Sequence, residues 1–274
     1  DPRYHYPFIN CTNCGPRFTI ITNVPYDRHN TSMADFPMCD LCKSQYEDPT
    51  DRRFHAQPVA CPVCGPHITL KDANGNIISE NPEICLAKTA ALLKEGNIIA
   101  VKGIGGYHLA ADAQSEEAVR RLRNRKYRED KPFAVMMANI EETKKYCSVS
   151  QEEESLLTSF RAPFALLEKK PECAIAPSTA PENNYLGVIL PYTPLHSLIM
   201  TKFGSPLIMT SGNISEEPIA YHDQDAEDRL SPIADYFLTH NRPIHTRCDD
   251  SVTRIFRGKE YPLRRSRGYV PFPV

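Results

Sequence analysis

No stretch of the sequence approaches the roughly 18 uninterrupted apolar residues that a membrane helix needs. The first residues also lack the basic-then-apolar pattern of a secretory signal. A surplus of charge is missing too: 32 Lys and Arg stand against 34 Asp and Glu, a formal charge of -2. A protein that coats nucleic acid through a general basic field is therefore excluded, and any anion recognition has to be local. With no secretory signal, the 10 cysteines are not read as a disulfide framework; six of them form C-x2-C pairs, which favours metal ligation. The expected location is the cytoplasm, with no membrane involvement. Residue 1 is Asp rather than Met, and the chain is read as part of a longer polypeptide. Its 274 residues suffice for one or two domains with a buried core.

What is present begins with an internal repeat. Shifting the sequence by 50 residues superposes Asp1, Arg3, Tyr4, His5, Cys11, Cys14, Gly15, Pro16 and Thr19 on Asp51, Arg53, Phe54, His55, Cys61, Cys64, Gly65, Pro66 and Thr69. The second copy also holds Cys39 and Cys42, giving C-x2-C-x18-C-x2-C from Cys39 to Cys64. Two chelating pairs joined by a loop of that length are what a tetrahedral four-thiolate zinc site requires. Such a site has no open coordination position, so zinc is expected to fold the module rather than to catalyse. By the same register Cys11 and Cys14 are half of a second site whose other half would precede residue 1. Pairing them with Cys39 and Cys42 would leave Cys61 and Cys64 without partners. His5 and His55 are read as packing or surface residues in preference to ligands.

The polar stretch Lys71 to Asn81, with an Asn74-Gly75-Asn76 turn, marks a boundary. Two domains are expected: a zinc-finger module over residues 1–75 and a larger α/β domain over residues 80–274. Helices are predicted over 83–95, 115–125, 141–146, 151–160 and 196–202. Buried strands are predicted over 97–101, 133–137, 164–167, 187–191, 206–210, 236–239 and 251–256. The first strand runs into Lys102-Gly103-Ile104-Gly105-Gly106-Tyr107-His108, a glycine-lined turn open to close ligand approach. It is neither a P-loop nor a full G-x-G-x-x-G fingerprint.

Positive charge is concentrated between Arg120 and Phe133, where seven of fourteen residues are Arg or Lys. Pro132 stops the helix and leaves Lys126, Arg128 and Lys131 on a short connector before a buried strand, a setting suited to phosphate oxygens. A second candidate is Thr210-Ser211-Gly212-Asn213, small polar side chains at the end of a buried strand, where open α/β sheets bind ligands. Arg264, Arg265 and Arg267 form another cationic patch.

With Lys126-x-Arg128-x-x-Lys131 after a helix and Thr210-Ser211-x-Asn213 after a strand, residues 85 to 270 resemble the YrdC family. The zinc repeats, with CTNCGPRFTI, DRRFHAQPVACPVCGP, KPFAVM and RRSRGYVP, are similar to the HypF family of carbamoyltransferases in NiFe-hydrogenase maturation. The resemblance implies a small zinc-knuckle module followed by a YrdC-like twisted open mixed sheet flanked by helices. It also implies a relay. Carbamoyl phosphate is hydrolysed by an acylphosphatase domain, carbamate attacks ATP to give carbamoyl adenylate and pyrophosphate, and a later domain passes the carbamoyl group to the C-terminal cysteine of HypE. The acylphosphatase and carbamoyl-transfer domains are not in this sequence.

On that reading Lys126 and Arg128 act on the phosphates, Lys131 supports them, and Thr210, Ser211, Asn213, Arg265 and Arg267 contact ATP, with Mg2+ as its companion. Relatives that make threonylcarbamoyl adenylate carry Y-P-T-x-T-x-Y-G-L where this chain has Val101 to Leu109. Lys102 and His108 are therefore expected to hold carbamate itself. The competing readings are a threonylcarbamoyl-adenylate synthase and a zinc-containing module with weak RNA binding. The latter would need aromatic stacking platforms that the basic stretches lack.

Overall fold

Helix starts follow the capping residues of the sequence. The structure is a computed structural model that describes residues 1–11, 18–214 and 217–270. Helix α1 (Asp40–Glu47) starts at Cys39 and has no side-chain cap. Asn81 accepts from two amides at the start of α2 (Pro82–Lys94), and Ser115 accepts from Ala118 at the start of α3 (Glu116–Arg125). Asn139 caps α4 (Ile140–Tyr146), and Ser150 with Glu153 forms a full capping box on α5 (Gln151–Leu157). Thr193 caps α6 (Pro194–Phe203), which stops at the left-handed Gly204. The acidic α7 (Asp223–Leu230) starts at His222 without a side-chain cap.

The strands are β1 (Ile68–Asp72), β2 (Ile77–Ser79), β3 (Ile99–Lys102), β4 (Tyr107–Asp112), β5 (Ala134–Met136) and β6 (Phe164–Glu168). They continue with β7 (Tyr185–Ile189), β8 (Leu207–Ser211), β9 (Tyr236–His240), β10 (Val252–Phe256) and β11 (Lys259–Arg264). Among the described residues they form one 11-stranded mixed sheet in the order β11-β10-β6-β7-β5-β8-β4-β3-β9-β1-β2. The predicted strands are present with ends shifted by a residue or two. Six of these elements lie outside the predicted ones: α1, β1 and β2 fall in the cysteine module and the polar boundary stretch, β4 continues the glycine turn, β11 is exposed along its whole length, and α7 is mostly polar.

Period-two alternation divides the core between the two faces. Ala100, Tyr107, Leu109 and Ala111 pack with Val119 and Leu122 of α3. Ile99, Val101 and Ala110 face Leu86 and Leu93 of α2 and Leu195 and Ile199 of α6. Tyr6, Phe8, Ile20, Met33 and Phe36 of the cysteine-rich module join this second core. The module is thus built onto the sheet rather than tethered to it. β1 pairs with β9 from Ile68↔His240 to Asp72↔Tyr236, so the hairpin around the 75–80 boundary expected from sequence is itself part of the large sheet.

Registers Lys102↔Tyr107, His108↔Ser211 and Val101↔Leu238 bring the ends of β3, β8 and β9 and the start of β4 to one sheet edge. β5 runs antiparallel to β8, so the connector before it reaches that same edge. This edge carries most of the candidate ligand-binding side chains.

Candidate functional site

The four sulfurs of Cys39, Cys42, Cys61 and Cys64 all lie within 4.8 Å of one another. The Cys39–Cys61 separation is 3.6 Å, Cys42–Cys64 3.6 Å and Cys61–Cys64 3.8 Å. Thiolates held at a typical Zn–S bond length around one tetrahedral ion stand about 3.8 Å apart, so the cluster fits that geometry. Arg3, 2% exposed, donates to Cys42 Sγ at 3.1 Å, to the Ala60 carbonyl at 2.7 Å and to Gln45 Oε1 at 2.7 Å. The first repeat copy therefore braces the cluster of the second. His5 and His55 sit at left-handed φ (59° and 51°) and stack on Tyr4 and Tyr46; neither joins the cluster. Cys11 is exposed, and Cys14 lies outside the described residues.

At the sheet edge the expected meeting of two distant turns is present. Lys126 caps α3 at its C-terminus and is 1% exposed; its Nζ donates to the Ser211 carbonyl at 2.7 Å, to Asn213 Oδ1 at 2.6 Å and to the Asn213 carbonyl. Ser211 Oγ donates to Asn213 Oδ1 at 2.8 Å, which fixes the amide against the ammonium. Tyr127 turns the chain at φ 51°, and Arg123 holds the connector by donating to the Arg128 carbonyl at 2.9 Å and the Glu129 carbonyl at 2.6 Å. Arg128 donates to the Lys131 and Pro132 carbonyls and lies 4.8 Å from the Phe133 ring centroid. Lys131 is exposed, and Thr210 is buried within β8.

Burial, with Arg128 and Lys131 adding to it, pushes Lys126 down to about 7, and Asp249 pulls the other way. Burial and the neighbouring Arg123 and Arg264 push Arg128 down to about 10. Two of the charges acting here, Arg229 and Asp249, lie outside the residues singled out from sequence, and a third, Arg264, belongs to the C-terminal cationic patch. Arg264 from β11 acts electrostatically on Arg128, while Arg229 of α7 and Asp249 act on Lys126. Arg264 donates to the Asp250 carbonyl at 2.9 Å and pairs with Asp249 at 3.0 Å. The arginine run was visible in the sequence, but an all-exposed strand has no alternation to show which arginine turns toward the edge.

Three other expected ligand residues are engaged internally. Arg267 pairs with Asp250 at 2.7 Å, donates to the Arg161 and Ala162 carbonyls, and stacks 3.4 Å over the Tyr192 ring. Lys102 is 2% exposed, paired with Asp223 at 2.6 Å and bonded to the His240 carbonyl at 2.8 Å. His108 Nε2 stands 2.9 Å from Asp250 Oδ2; a carboxylate only accepts, so the imidazole donates there. Although burial alone would raise Asp250, Arg267 and His108 hold it well below the usual carboxylate range. Arg265 is half-buried.

Comparison with known proteins agrees with this layout. The Sua5/YciO/YrdC family model, described as "Telomere recombination", matches residues 91–266, and the HypF finger model matches residues 1–21 and 38–71. The chain is 50% identical to Carbamoyltransferase HypF of Synechocystis sp. over 274 residues, covering 100% of this chain and 36% of that one. A crystal structure of full-length HypF in the phosphate- and nucleotide-bound form superposes with a TM-score of 0.93 at 54% identity, over 99% of this chain and 35% of that one. A threonylcarbamoyl-AMP synthase from Bacillus subtilis is 28% identical over 172 residues, 60% of this chain and 49% of that one. The chain spans about a third of the length of the HypF relatives it matches. It belongs to the Sua5/YciO/YrdC family, in the HypF arrangement of cysteine fingers followed by a YrdC-like domain.

Proposed function

We propose that this chain is the adenylating part of a HypF-type carbamoyltransferase, forming carbamoyl adenylate from carbamate and ATP in the cytoplasm. The observation that carries the reading is the junction at Lys126, where the α3–β5 connector and the end of β8 are joined through one buried ammonium. A carbamate oxygen attacks the α-phosphorus, an O–P bond forms, and the bond from that phosphorus to the departing pyrophosphate breaks. Carbamate is already an anion, so no proton has to be removed. The demand is for cations placed where phosphate charge grows and departs.

Lys126 and Arg128 are the catalytic pair, and Arg264 joins them. Lys131, Ser211 and Asn213 hold the triphosphate or ribose, and Thr210 supports them from within β8. Lys102 and His108 flank the carbamate, with Arg265 and Arg267 behind them, and Mg2+ accompanies ATP. Cys39, Cys42, Cys61 and Cys64 hold one zinc ion. Cys11 and Cys14 belong to a second zinc site, of which they are one C-x2-C pair. The functional division is a finger module over 1–75 and an adenylating domain over 80–274. Carbamate arrives from an acylphosphatase domain, and the product passes to a carbamoyl-transfer domain and then to the C-terminal cysteine of HypE.

The relation to threonylcarbamoyl-AMP synthases supports a second reading, with threonine as acceptor. Gly103 and Gly105 at the strand end, in place of that family's threonines, weigh against it. Carbamate-dependent exchange of labelled pyrophosphate into ATP, run beside threonine plus bicarbonate, decides between them. Exchange with carbamate alone is the expected result, and exchange only with threonine would replace the first reading by the second.

A further inference from the structure

Arg3 lies in the first copy of the 50-residue repeat, yet its side chain serves the second. The guanidinium spans the two halves of the four-cysteine cluster. On one side Nη2 donates to Cys42 Sγ at 3.1 Å and to Gln45 Oε1 at 2.7 Å, both on α1. On the other, Nε donates at 2.7 Å to the carbonyl of Ala60, the residue before Cys61. One rigid planar group therefore ties the first C-x2-C pair to the second and fixes the separation that a tetrahedral ion has to find.

Charge adds to geometry. Four thiolates outweigh one divalent ion, so the loaded cluster is an anion, and Cys42 and Cys61 are buried from water that would otherwise screen it. Arg28 also acts on the cluster, but its guanidinium donates to the carbonyls of Gln57, Val59 and Phe36. Arg3 donates to sulfur directly, and a charged donor makes the stronger bond. The repeat supplies an internal comparison. Arg53, the counterpart of Arg3 in the 50-residue register, is 6% exposed and lies near the same cluster. Its Nη2 pairs with the Asp1 carboxylate at 3.5 Å and makes no hydrogen bond to sulfur.

We infer that Arg3 is a positioning residue for zinc: it sets the two cysteine pairs at metal-binding separation and offsets the charge of the loaded cluster, so the second finger's hold on its metal depends on a residue of the first repeat copy. The inference rests on the zinc reading of the four cysteines and is independent of the adenylation reading.

The zinc affinity of the full chain, measured by competition with a coloured chelator, tests it. Arg3→Ala weakens zinc binding by about 10–100-fold, the usual cost of losing a hydrogen-bond partner of a metal ligand. Arg53→Ala removes a guanidinium of similar burial that has no bond to sulfur, and it leaves the affinity unchanged. Arg3→Lys keeps the charge but cannot span both cysteine pairs, and it loses about tenfold. This variant carries the test if urea unfolding shows that Arg3→Ala does not fold. Equal affinity in the unaltered chain and in either folded Arg3 variant overturns the inference, as does an equal loss in Arg3→Ala and Arg53→Ala. An unaltered chain that binds no zinc removes the zinc reading itself, and the inference with it.

Discussion

Lys126 carries an ordinary lysine's charge only below about pH 7, because it is buried among other cations. On the proposed reading a triphosphate beside it restores the charge, so its pKa rises on binding. Above pH 7 the free chain must therefore take up a proton to bind ATP. The sign follows: affinity is greatest below about 7 and falls as pH rises toward 9, by up to about tenfold per unit. Calorimetry in two buffers of different ionisation enthalpy should register this uptake at pH 8 and its disappearance in Lys126→Arg, whose guanidinium stays charged. Lys126→Ala should slow pyrophosphate exchange by about a hundredfold or more, the usual cost of losing one transition-state contact. Arg267 belongs to a different category at the same scale. It pairs with the buried Asp250, and Arg267→Ala leaves that carboxylate with His108 as its remaining ring partner and no guanidinium; the expected loss is about 3 kcal/mol of stability, read from the urea midpoint.

The β3–β4 turn shows how an element is constrained by its neighbours. A Cβ on Gly105 would lie 2.2 Å from the Cys248 carbonyl oxygen, and one on Gly212 would lie 2.7 Å from the Tyr107 carbonyl oxygen. Both contacts are to backbone, which cannot swing aside. Gly105→Ala should therefore displace the turn and lower both exchange activity and the unfolding midpoint. Gly75→Ala meets no atom within 4 Å, but its φ of 84° strains any side chain, so only a small loss is expected in the same melt. The connector after α3 was legible in sequence because Pro132 and the cations mark it. The guanidinium–carbonyl bonds that hold it in shape were not, since they depend on how the connector folds back on Arg123 and Arg128.

Across the whole molecule, the finger and the sheet share one hydrophobic core through Tyr6, Phe8, Ile20 and Phe36. Removing metal from the four-cysteine cluster should therefore spread beyond the finger. Hydrogen exchange after chelation is expected to quicken in α1 and also in β1, β9 and α2, which contact that core. Protection lost in α1 alone would show that the finger is an independent bead.

Sequence alone identified the four cysteines that cluster and the two segments that meet at Lys126. Cysteine spacing, helix caps and strand-terminal polar residues are local, and local chemistry is written in order along the chain. Tertiary structure alone decided which arginine of the C-terminal run acts on Arg128, that Arg267 and Lys102 are held by carboxylates, and that the finger's Tyr6, Phe8 and Ile20 enter the sheet's core. Each depends on chain segments far apart in sequence, and no spacing rule records which of them come within a few ångströms.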